Sequence, residues 1–149
     1  MRWKIMQLKS IQILILGGVI LFQACSFKPQ TRSISPHFNG QLTFGDKAIS
    51  NAKVMLSIEA GDKYCLKAKT TTTTNKQGQF NLNAVTEEYT YLPFADQQLD
   101  EWNVCASYND NIYSLYSNSH YGSGSAKGST FLQCDLALNP INNLCSSSH

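Results

Sequence analysis

The 149 residues carry 12 Lys and Arg against 10 Asp and Glu. Arg2, Lys4 and Lys9 all sit at the very start, so residues 25–149 hold nine basic and ten acidic side chains. That balance gives no electrostatic reason to expect nucleic acid, whose binding needs a clustered positive surface to displace counterions from phosphates, and no nucleic-acid partner is expected. The same 125 residues suffice for one domain burying roughly two-thirds of its unfolded surface.

The first element is a basic start followed by the apolar run of residues 11–22, broken only by Gln12, Gly17 and Gly18. A helix of about 12 residues spans about 18 Å, short of the roughly 30 Å hydrocarbon core, so the run predicts a signal helix rather than a permanent span. Leu21-Phe22-Gln23-Ala24-Cys25 closes it and resembles a bacterial lipobox, with Phe22 where Leu is commoner. The resemblance implies cleavage after Ala24, acyl chains on Cys25 and membrane attachment through them. With Ser26 rather than Asp after the cysteine, it implies the periplasmic side of the outer membrane of a Gram-negative cell. The competing reading is an ordinary signal peptide (residues 1–24) that leaves Cys25 a plain thiol.

Residues 25–36 are mostly polar, with Lys28-Pro29 and Ser35-Pro36 and no apolar periodicity, and read as a tether reaching roughly 35 Å. From His37 the period is two. Leu42 and Phe44 alternate with Gln41 and Thr43, and Val54, Leu56 and Ile58 with Lys53, Ser57 and Glu59. Gly61-Asp62 signals a hairpin, and Tyr64, Leu66 and Ala68 alternate with Lys63, Cys65, Lys67 and Lys69, predicting a strand that the threonines of residues 70–74 extend along a sheet edge. Asn75-Lys76-Gln77-Gly78 turns the chain, and Phe80 and Leu82 point inward.

The frame Gly40-x-Leu42, Gly45, Ala48-Ile49-x-Asn51-Ala52-x-Val54-x-Leu56 and Thr74-Asn75-x-x-Gly78-x-Phe80-x-Leu82 resembles the carboxypeptidase-regulatory-like domain. That likeness implies an all-β, transthyretin-like or Ig-like sandwich of about seven antiparallel strands over residues 37–138. Asn51 stands where the family has Gly, and Asn75 where it has Asp.

Further on, Trp102, Val104 and Ala106 alternate with Asn103, Cys105 and Ser107, Asn109-Asp110 turns, and residues 112–116 return. Residues 94–102 are compatible with one or two helical turns, residues 122–130 read as a flexible loop, and residues 131–138 as the last strand. There Leu132-Gln133-Cys134-Asp135-Leu136 resembles the closing motif of a poorly characterised bacterial subgroup of these domains. Residues 139–149 read as an irregular tail. With Cys25 assigned to lipid, Cys65, Cys105, Cys134 and Cys145 form an even set in an oxidising compartment and predict two disulfides. Of three connectivities the preferred one joins Cys105 to Cys134, both mid-strand, and Cys65 to Cys145, pinning the tail.

Chemistry is scarce. There is no Cys-x-x-Cys, and His37, His120 and His149 are scattered, so no metal or other cofactor is expected. Glu87-Glu88 and Asp100-Glu101 are consecutive pairs whose members face opposite sides of a strand and read as solvated charges. No Gly-x-Ser-x-Gly is present, Ser50 to Lys53 runs from a turn into a strand, the loop from Gly122 to Lys127 lacks a Gly-Lys-Ser/Thr ending, and His120 reads as an exposed loop residue. No catalytic residue is assigned. Eight aromatics crowd into residues 89–121, either as cross-strand packing or as a recognition surface for which Tyr108, Tyr113, Tyr116 and Tyr121 are the candidates. The expectation is a non-enzymatic binding or scaffolding lipoprotein with an envelope protein partner. An immunity or inhibitor lipoprotein blocking a toxin or hydrolase is the second reading, and a cryptic hydrolase the third.

Overall fold

A computed structural model of the chain describes residues 29–89, 99–121, 126, 128–138 and 144–148. The predicted signal helix, Cys25, and residues 122–125 and 127 of the predicted loop of residues 122–130 lie outside them, that loop's residues 129 and 130 being strand; so do residues 94–98 of the helical-turn candidate, whose described part, residues 99–102, is strand.

The described chain is all-β: β1 (Gln30–Ser33), β2 (His37–Phe44), β3 (Lys47–Ala48), β4 (Lys53–Ser57), β5 (Thr70–Thr73), β6 (Gln79–Leu82), β7 (Thr86–Tyr89), β8 (Leu99–Tyr108), β9 (Asn111–Tyr121), β10 (Ser129–Asp135) and β11 (Cys145–Ser148). Two sheets pack face to face. One runs β11-β10-β2-β3, with β6 also on β2, and the other runs β5-β4-β8-β9. Inward positions of both form one core: Phe38, Leu42, Phe80, Leu82 and Leu132 from the first, and Val54, Leu56, Trp102, Val104 and Leu115 from the second.

The frame residues explain themselves locally. Gly45 and Gly78 take φ of 60° and 74°, where a Cβ is disfavoured. A Cβ on Gly40 would lie 2.6 Å from Cζ of Phe80, so the missing side chain is what lets that ring lie across β2. Asn51 adopts φ 58°, a conformation Asn tolerates better than most residues, and so fills a glycine position. Asn75 does the work of Asp, its Oδ1 accepting the N–H groups of Gln77 and Gln79, both at 2.9 Å.

The structure departs from the expected sandwich at several points. The strands are not all antiparallel, because β10 lies parallel to β2, Ser129 opposite His37 through Asp135 opposite Thr43. Residues 30–35 of the predicted tether belong to the folded body, since β1 pairs with β7 as a two-stranded ribbon and Ile34 and Ser35 are buried. Residues 63–69 form no strand. They belong to a loop between β4 and β5, in which Asp62 accepts hydrogen bonds from Ser57 Oγ and from the N–H groups of Leu66 and Lys67. Residues 145–148 of the tail are not irregular, because they form β11 and pair antiparallel with β10.

The disulfides are Cys65–Cys105 and Cys134–Cys145, with Cα separations of 6.0 and 4.0 Å, not the preferred pairing. The reason is geometric. Cys134 faces the core from the first sheet, whereas Cys105 lies on the outer face of the second, in a small cluster with Met55 and Cys65. A sandwich about 10 Å thick separates those positions by more than a disulfide spans. The loop of residues 58–69 therefore closes over the outer face of β4 and β8, and it buries Ser57, Asn103 and Cys105 completely, positions that alternation alone would leave wet.

Candidate functional site

β9 and β11 are the terminal strands of their two sheets and border the same side of the sandwich. A groove of about 760 Å³ runs between them, walled by residues 111–117 of β9, by Tyr64 from the loop, and by Leu144, Cys145 and Ser147 at the other rim. A β-bulge sets its lining. Val104 pairs with Tyr116 and Cys105 with Ser114, which leaves Leu115 without a partner of its own. In a regular strand Tyr113 and Tyr116 would face opposite ways. The extra residue turns both inward, Tyr113 opposite Ala106 and Tyr116 opposite Val104.

Both rings are half-buried against the core, and Tyr116 leans on Phe38 with centroids 5.9 Å apart at 60°. The Tyr116 hydroxyl accepts a hydrogen bond from Asn118 Nδ2 at 3.0 Å. Tyr64 and Ile112 stand more exposed at the rim, 57% and 40%. The outer edge of β9 makes no backbone hydrogen bond among the described residues.

Of the four tyrosines singled out from sequence, the fold brings Tyr113 and Tyr116 together in this groove. Tyr108 packs half-buried beside the core and Tyr121 stands exposed at the other end of β9. Tyr64 and Cys145 were missed as lining. The alternation around Tyr64 predicts a strand, and Cys145 falls in a predicted tail whose position only the disulfide and β11 establish.

A second constellation was missed altogether. Arg32 donates to Glu87 Oε1 at 2.8 Å through Nε, and to Asp100 at 2.9 Å through Nη1 and 3.2 Å through Nη2. Its guanidinium also lies 5.7 Å from the centroid of the Tyr89 ring. Burial opposes the charge on Arg32, but the hydrogen bond to Glu87 and the charges of Asp100 and Glu87 outweigh it and raise the guanidinium pKa. Arg32 and Asp100 are each 4% exposed, so Asp100 is one half of a buried ion pair rather than a solvated charge, while Glu87 closes the clamp from its half-exposed side. Glu101, on the opposite face, instead accepts the N–H of Gly61 at 3.0 Å. His120 stands in β9 opposite Asp100 rather than in a loop. Among the described residues no three His, Cys, Asp or Glu side chains are grouped to hold a metal ion.

A family described as a domain of unknown function, DUF6795, matches residues 38–139. The chain belongs to that family. No curated protein matches it. The DUF6795 match begins after β1 and stops before β11. Arg32 of the clamp and Cys145 of the groove thus lie outside the matched segment, while the tyrosines of β9 lie inside it.

Proposed function

We propose that this DUF6795 protein is a non-enzymatic lipoprotein, acylated on Cys25 at the periplasmic side of the outer membrane, whose groove between β9 and β11 binds an extended segment of an envelope protein. We read the frame-level likeness to carboxypeptidase-regulatory-like domains as a likeness of sandwich, not of activity. The observation that carries the binding role is the groove itself. Two sheet edges that no described strand pairs flank it, and inward tyrosines floor it. An extended chain entering there gains main-chain hydrogen bonds from the β9 edge and side-chain pockets from Tyr113 and Tyr116. Natural edge strands are commonly protected by Lys, Pro or inward charges. β9, Asn-Ile-Tyr-Ser-Leu-Tyr-Ser-Asn-Ser-His-Tyr, has no Lys, Arg, Asp, Glu or Pro.

The test is photo-crosslinking from a reactive amino acid placed at position 113 or 116 in the full-length protein within its own envelope, with position 44 as the control. Adducts to an envelope protein at 113 and 116 but not at 44, weakened by Tyr64→Ala, are expected. Adducts to one secreted hydrolase would replace this reading with an inhibitor. Equal labelling at all three positions would remove the groove as a site.

A further inference from the structure

We infer that Leu99 and Tyr121 rest on the same bilayer that carries the Cys25 anchor, so that the sandwich stands with its β1–β7 end on the lipid. The inference rests on the acylation proposed above and adds a contact surface to it.

Chain length selects the surface. Only five residue steps separate Cys25 from Gln30, where β1 begins. At full extension, roughly 3.3–3.6 Å per residue, they reach no more than about 18 Å. Whatever lies at the β1 end is therefore held within a short distance of the headgroups.

That end can be traced residue by residue. Gln30 pairs with Tyr89, Arg32 bonds Asp100, and the neighbouring Leu99 pairs with Tyr121 across the end of the β8–β9 hairpin. Leu99 is 54% and Tyr121 66% exposed, an aliphatic beside an amphipathic aromatic, as suits a membrane interface. Phe44 is also exposed, at 50%, but it closes the far end of β2. Seven residue steps at about 3.3 Å each set it roughly 23 Å further from the point where the chain arrives.

Charge narrows the lipid class. Asp100 and Glu87 are both engaged by Arg32, and the neighbouring Glu88 is exposed. An exposed carboxylate at this end repels anionic headgroups, so the matching surface is zwitterionic. A short tether and an apolar pair act together as two attachment signals, and the second fixes orientation where the first fixes only distance.

Hydrogen exchange on the full mature protein in phosphatidylcholine–phosphatidylethanolamine vesicles tests this, with mass analysis of the Cys25 peptide in the same sample. Leu99 and Tyr121 are the last pair of a hairpin and would otherwise fray. Relative to the Leu99→Glu/Tyr121→Ser variant in the same vesicles, the wild-type amides of residues 99–101 and 119–121 should exchange at least about threefold more slowly, with the turn at Asn109 and Asp110 unchanged in both as the control for folding. An acylated protein with equal exchange in both forms overturns the contact and leaves the anchor standing. An unmodified Cys25 overturns the anchor, and the contact with it.

Discussion

Arg32 illustrates how much one side chain outside any readable pattern can hold. It ties β1, β7 and the start of β8 through two carboxylates, and removing it strands Asp100 as a buried charge. Breaking a buried pair in this way costs about 3–5 kcal/mol, whereas replacing both partners by apolar groups is often neutral. Arg32→Met should therefore lower the thermal midpoint by about 10 °C or more, and Arg32→Met/Asp100→Leu should recover most of that loss, both read by circular dichroism. If the single variant melts with the wild type, the clamp contributes nothing. None of this was visible beforehand, because a lone Arg in a polar stretch has no period and Glu87 and Asp100 are far from it in sequence. Asn51 and Asn75, by contrast, were legible as departures from a frame, and side-chain chemistry explains both: one tolerates positive φ and the other supplies the acceptor of an Asx turn.

Among the elements, the loop of residues 58–69 departs most from its reading. Tyr64, Leu66 and Ala68 alternate as a strand would, yet the segment is held by Asp62 and the Cys65–Cys105 bridge instead. Period two over seven residues cannot separate a strand from a loop whose cysteine happens to point inward. The hydrogen bond from the Lys67 N–H, with those from Ser57 and Leu66, holds the Asp62 carboxyl below the usual carboxylate range. A carboxyl lowered on folding stabilises the fold above its unfolded value of about 4, and that contribution is lost as pH falls through the folded value. The protection of the Leu66 and Lys67 amides, taken relative to their intrinsic exchange rate at each pH, should therefore fall below about pH 4, and Asp62→Asn should abolish that loss. The bridge itself closes a loop with a sequence separation of 40, the other one of only 11. Loop-closure entropy assigns them about 4 and about 3 kcal/mol. Cys65→Ser/Cys105→Ser should thus destabilise more than Cys134→Ser/Cys145→Ser in urea titrations, the more so as it uncovers Met55 and Asn103. The reverse order would mean that β11 matters more to the sandwich than the loop does.

For the whole molecule, the sandwich class was legible because Leu42, Val54, Leu56, Phe80, Leu82 and Val104 obey one alternation and the turns between them carry Gly or Asn. The β9 bulge was not, since a single extra residue leaves no mark in a pattern of tyrosines and serines. Nor was the parallel β2–β10 pairing, which no local signal encodes. The proposed anchor has its own test at this scale: Cys25→Ala should move the protein out of the membrane fraction and end palmitate labelling, and persistent labelling would remove the lipid from the account.

The parallel pairing sets the order of assembly. Gln41 and Gln133 lie side by side although 92 positions apart, so β2 cannot complete its sheet until nearly the whole polypeptide has been delivered. Long-range closure of this kind places β-sandwiches among the slow two-state folders, at milliseconds to seconds. An emerging chain of this topology therefore lacks its central parallel pairing until β10 has followed, and most of its length is made before that sheet can close.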